Sequence, residues 1–82
     1  MDIREVFARN LRKARNAKGL SQEALAHEAN IDRTYVSALE RSEYSATIVM
    51  VDKLARALGV EASALLQRPT RSRQRRPQAP RS

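Results

Sequence analysis

Cysteine is absent from the 82-residue chain, which excludes a disulfide framework and any thiolate-held metal. Tryptophan is absent as well, and one phenylalanine, two tyrosines and two glycines are too few for a β-rich fold. No stretch approaches the ~18 apolar residues that would cross a bilayer. The start MDIREVFARN carries acids and lacks the apolar run of a signal peptide, so a cytoplasmic protein is expected. The single histidine, His27, has no second ligand at i+4, and no metal site is expected there.

Acidic residues are missing from one region only. Of sixteen lysines and arginines, six arginines lie in residues 67–82, where there is no acid; residues 1–66 keep ten bases against nine acids. The net charge of +7 therefore belongs to the tail, and the rest of the chain is nearly neutral. That tail, QRPTRSRQRRPQAPRS, has no aliphatic side chain larger than alanine and cannot offset its ordering entropy by burial. It is expected to be a disordered basic extension, following a single small domain over residues 1–66.

What is present is helical periodicity. A first helix is expected from Ile3 to Lys18, capped by Asp2, with the apolar Ile3, Val6, Phe7, Leu11 and Ala14 recurring at helical spacing and Gly19 as its stop. Ser21 caps a second helix from Gln22 to Ala29, and Asn30 suits a sharp left-handed turn. Asp32 caps a third, ending near Arg41, that buries Val36 and Leu39. Thr47 caps a fourth with Ile48, Val51, Leu54, Ala55 and Leu58 inward; Gly59 ends it, and a short fifth spans Ala62 to Leu66. The fold class is all-α, with five helices.

Helices two and three are joined by too few residues to pack antiparallel, so they must cross steeply, as in a helix-turn-helix. With Val36 and Leu39 inward, the opposite face of the third helix presents Arg33, Thr34, Ser37, Ala38 and Arg41. Most of these are short, and such a helix can lie close in a DNA major groove, whose base edges carry patterned donors and acceptors. Arg33 can donate twice to a guanine, Thr34 and Ser37 can reach base edges or phosphates, and Ala38 can meet a thymine methyl. Periodicity by itself serves equally well for a solvated helix face.

The words LRKARNAKGLSQEALA (11–26), IDRTYVSALER (31–41) and KLARALGV (53–60) resemble the Cro/CI-type (XRE) helix-turn-helix family of phage repressors and bacterial regulators. The small size is also similar to that of restriction–modification controller proteins. The resemblance implies a transcriptional regulator that binds double-stranded DNA, with no enzymatic activity and no cofactor. It implies base reading by Arg33 and Thr34, then Ser37 and Ala38, a phosphate contact and brace from Gln22, and a structural ion pair between Arg15 and Glu40. Arg41, Arg12 and Tyr44 are the further phosphate candidates, Tyr44 serving equally as a cover for the core. The sequence departs from the family pattern at Asn30 and Ser42, where glycine is usual, and at Ser45-Ala46, where Asn-Pro is usual.

One such helix reads too few base pairs to define a site. Helix-turn-helix proteins dimerise across half-sites about 34 Å apart, so a homodimer on a palindromic operator is expected. Its interface is placed at Val49, Met50, Leu65 and Leu66, because the last two cannot both point inward from so short a helix. The arginine tail is either a solubility extension or a source of sequence-independent phosphate attraction. The alternative function is an antitoxin or protein-interaction module, although the tail lacks the apolar anchors a folding-on-binding segment needs.

Overall fold

A computed structural model of the chain describes residues 2–69. Five helices follow one another: α1 (Ile3–Lys18), α2 (Gln22–Ala29), α3 (Arg33–Glu40), α4 (Ile48–Leu58) and α5 (Ala62–Leu66). The all-α architecture is the expected one, and α3 stops one residue short of the expected end, with Arg41 as its C-cap. The basic tail beyond residue 69 lies outside the described residues.

Four helix starts are fixed by side chains that satisfy otherwise unpaired N–H groups. Asp2 accepts from the Arg4 N–H at 2.9 Å while Glu5 accepts from the Asp2 N–H, closing a capping box. Ser21 accepts from Ala24 at 3.0 Å, Asp32 from Thr34 at 2.8 Å and Thr47 from Met50 at 3.0 Å. Glu61 opens α5 with no such bond.

The first four helices share one kind of ending. Gly19, Asn30, Ser42 and Gly59 each take a left-handed conformation, with φ between +59° and +77°. In each case the next residue donates its N–H back five positions: Leu20 to Arg15, Ile31 to Ala26, Glu43 to Ala38 and Val60 to Ala55, at 2.9–3.0 Å. These are Schellman closures. Two use glycine, whereas Asn30 and Ser42 hold the same conformation with a side chain attached.

The core gathers Phe7 and Leu11 of α1, Leu25, Ala26 and Ala29 of α2, Val36 and Leu39 of α3, four residues of α4, and Leu65 of α5. α1 packs on α3, α4 and α5, while α2 packs on α3 and α4. Two sequence expectations fail here. Ile48 has the spacing of the inner stripe of α4 but is 88% exposed. Side chains lean toward a helix's N-terminus, so the first residue of α4 projects off the end of the core rather than onto it. Leu65 is 1% exposed and belongs to the core, leaving Leu66 outside. Leu65 is therefore removed from the candidate interface.

The folded body also continues past Leu66. Asn10, on α1, donates from Nδ2 to the carbonyl oxygens of Leu65 (3.0 Å) and Gln67 (2.8 Å). One side chain thereby pins the end of α5 and the start of the extended segment to α1.

Candidate nucleic-acid interface

α3 is presented by the turn that precedes it. Asn30 at φ +59° reverses the chain after α2, Ile31 packs against the core, and Asp32 caps α3 so that Arg33 is its first residue. Arg33 and Thr34 are exposed, and Ser37, one turn later, is half-buried. The Asp32 carboxylate takes up the N–H of Thr34 at this end, so the Arg33 side chain supplies the positive charge there.

Ala38 does not share that face. It is 3% exposed. After α3, Ser42 turns the chain back, Glu43 donates to the Ala38 carbonyl, and the Tyr44 ring returns to lie 5.9 Å from that of Tyr35, one turn before Ala38. Buried to this degree, the Ala38 methyl is unavailable to a thymine. Tyr44 itself remains exposed.

The far end of α3 is held by a buried carboxylate. Glu40, 3% exposed, is the one buried charged residue among those described. Arg15 donates to both of its oxygens, from Nε at 2.6 Å and from Nη2 at 3.0 Å. Gln22, the first residue of α2, donates from Nε2 to Oε1 at 3.0 Å. Arg12 donates from Nη2 to the Glu40 carbonyl at 2.9 Å, with its Nε 3.9 Å from the carboxylate. The bonds from Glu40 raise the pKa of the Arg15 guanidinium above its ordinary value. Arg15 also donates to the Leu20 carbonyl at 2.9 Å, which ties in the α1–α2 turn. Three helices thus converge on one acid, and the tilt of α3 is set by charge-assisted bonds as well as by packing.

Arg41 lies just past α3. Its Nε and Nη2 donate to the two Glu43 oxygens at 2.9 and 3.0 Å, and Nη1 donates to the Ser37 hydroxyl. These bonds raise the Arg41 pKa and hold the Glu43 carboxyl below the usual range. Arg41 and Ser37, both expected on a DNA-facing surface, are engaged with each other, and Arg41 also with an acid, Glu43, that was not among the expected site residues. The Arg-Ser-Glu sequence at 41–43 was the available signal, since a tight turn brings its two charged ends together. Asn10 was also missed; an amide beside the apolar Leu11 on a core helix was its only mark.

Among the described residues no group of His, Cys, Asp or Glu could hold a metal ion, and no helix is long and apolar enough to cross a membrane. Val49 (69% exposed), Leu66 and Ile48 are exposed, whereas Met50 is partly buried against the core.

The helix-turn-helix family model HTH_3 matches residues 11–65. A hypothetical transcription factor of Neisseria meningitidis serogroup B is 48% identical over 68 residues, which cover 83% of this chain and 64% of that protein. Its crystal structure superimposes with a TM-score of 0.81 over 83% of this chain and 78% of that one. The control protein C.SmaI of Serratia marcescens is 43% identical over 83% of this chain and 81% of its own length. The controller C.Esp1396I, solved as a tetramer with its natural 35-base-pair operator, gives a TM-score of 0.73 at 31% identity, over 79% of this chain and 86% of that chain. The chain belongs to the HTH_3 (XRE-type) helix-turn-helix family, among whose similar members are restriction–modification controller proteins.

Proposed function

We propose that this protein is a sequence-specific, DNA-binding transcriptional regulator that lays α3 in the major groove and works as a homodimer on a palindromic operator. The observation that carries the reading is the presentation of α3. Its start is exposed at Arg33 and Thr34, and its end is anchored by the Glu40 network to α1 and α2. A rigid helix with a free leading edge is what base recognition requires, because each base contact tolerates little misplacement.

Arg33 and Thr34 read base edges, and Ser37 joins them once Arg41 turns to a phosphate. Gln22 and Arg12 face the sugar-phosphate backbone beside α3, and Tyr44 donates its hydroxyl to it. C.SmaI and C.Esp1396I favour a controller-type role for this chain. The antitoxin alternative gains no support from any feature of the described residues.

Selection of bound sequences from random duplex DNA tests the reading directly. A two-fold symmetric consensus is expected, and recovery of no preferred sequence would defeat the proposal. Within that consensus, Arg33→Ala is expected to lose ~1–3 kcal/mol of discrimination at one base position per half-site. An equal loss on every sequence would make Arg33 a phosphate contact instead.

A further inference from the structure

Among the five helices, α5 alone has no local device at either end. Glu61 makes no capping bond at its start, and Gln67, its C-cap, is extended (φ −76°, ψ 125°) instead of left-handed. Its five residues are also too few to hold a helix by themselves in water. The place of α5 therefore depends on tertiary anchors, chiefly the buried Leu65 side chain and the Asn10 amide.

That amide acts on a particular interval of chain. Nδ2 donates to the carbonyl oxygens of Leu65 and Gln67, at 3.0 and 2.8 Å, the residues on either side of Leu66. Holding both neighbours fixes the backbone of Leu66 and hence the direction of its Cβ. Leu65 then points into the core at 1% exposure, and Leu66 stands out at 42%. Asn10 follows Phe7 by one turn of α1, and Phe7, Tyr44, Val51 and Leu66 line the same narrow cleft. Leu66 is thereby set beside α4, whose first two residues are the exposed Ile48 and Val49. An apolar side chain so held gains most when a second surface covers its exposed part.

We propose that Asn10 is a positioning residue for self-association: it presents Leu66 to a second copy of the chain. The inference rests on the homodimer reading above and deepens it, by assigning part of the dimer's strength to a half-buried amide on α1. A side chain ordered before association binds more tightly, because less freedom is lost on contact.

The test is a double-mutant cycle in the full chain, with dimer dissociation read by sedimentation over a concentration series. Asn10→Ala removes the amide, and Leu66→Ala removes the side chain that it presents. Each alone is expected to weaken the dimer by about tenfold. Together they should weaken it little more than either alone, because residues that act as one unit are not additive. Helical circular dichroism and binding to an isolated half-site are expected to match the wild type, whereas binding to the full palindrome falls. A purely structural Asn10 would lower the thermal midpoint with the dimer constant unchanged or the two losses additive; either result overturns the inference. Asn16→Ala, which trims an exposed amide of the same helix, is expected to leave the dimer intact, and a loss there equal to that of Asn10→Ala would also overturn it. Should Asn10→Ala lose its helicity, the isosteric Asn10→Asp, which lacks the two donor N–H groups, carries the same cycle. A wild type that sediments as a monomer at micromolar concentration removes the homodimer reading itself, an outcome distinct from a dimer whose losses are additive.

Discussion

Glu40 shows how a single residue can serve structure and recognition together. Its carboxylate is withdrawn from water and matched by three nitrogen donors from Arg15 and Gln22. Removing one partner of a buried pair leaves the other charge uncompensated, a loss of about 3–5 kcal/mol. Glu40→Ala is thus expected to lower the urea midpoint severely, because a domain of this size has little more stability than that in total. Gln22→Ala removes one donor and should lose only about 1 kcal/mol. Glu43 behaves differently, since it is fully exposed. In the folded chain the bonds from Arg41 hold its carboxyl below the ordinary range. The pair therefore adds stability above the unfolded carboxyl value of about 4.3 and loses it as pH falls through the lower, folded value. A carbon-detected NMR titration should find Glu43 titrating low in the wild type and near the ordinary value in Arg41→Ala. Glu43→Gln releases Arg41 and removes a negative charge beside α3, so affinity should rise a few-fold on all DNA sequences alike. A rise confined to the consensus would show that Glu43 acts on base choice.

Helix boundaries were the most legible part of the sequence, because they depend on chemistry within a few residues. Asp2, Ser21, Asp32 and Thr47 cap the helices they were expected to cap, and Gly19 and Gly59 end α1 and α4. Asn30 and Ser42 show the same closure with less suitable residues. A side chain in the left-handed region is disfavoured by roughly 1–2 kcal/mol, less for asparagine. Ser42→Gly is accordingly expected to raise the thermal midpoint, by about 1 kcal/mol in stability, with Asn30→Gly giving a smaller gain. Gly19→Ala should cost a similar amount through φ alone, because a Cβ there meets nothing within 4 Å. What the sequence concealed lay at longer range. Ala38 has the spacing of an exposed residue and is buried, at the end of α3 where the chain turns back through Ser42 and Glu43 bonds its carbonyl. Ile48 has the spacing of a buried residue but sits where the core ends. Asn10 acts on residues 55 and 57 positions away, a pairing no periodicity records. In the Arg15–Glu40 pair, family resemblance supplied what local pattern lacked, since 25 residues separate the partners.

At the scale of the molecule, several large apolar side chains are left uncovered. Ile3, Tyr44, Ile48, Val49 and Leu66 are all substantially exposed. A narrow cleft of about 90 Å³ runs among Ile3, Phe7, Tyr44, Val51 and Leu66, so three of these exposed side chains rim an opening that reaches the core. Single exposed apolar residues need no explanation, whereas Ile48 and Val49, neighbours at the start of α4 and 88% and 69% exposed, favour an association surface. For a symmetric dimer the same patch must serve both subunits, and Ile48 and Val49, at the exposed start of α4, can meet their own counterparts across the axis. The proposed interface accordingly keeps Val49 and Leu66, gains Ile48, and excludes Leu65, which is in the core, and Met50, which packs against it. Ile48→Asp/Val49→Asp places charges on side chains that are 88% and 69% exposed in the single chain, so the helical circular dichroism of the subunit should survive. Sedimentation is expected to shift from dimer to monomer. Binding to one isolated half-site should be unchanged, while binding to the full palindrome should fall by about 10²–10⁴, the gain that linking two sites provides. A wild-type protein that sediments as a monomer at micromolar concentration, or a double variant that binds the palindrome as tightly as the parent, would remove this surface from the mechanism.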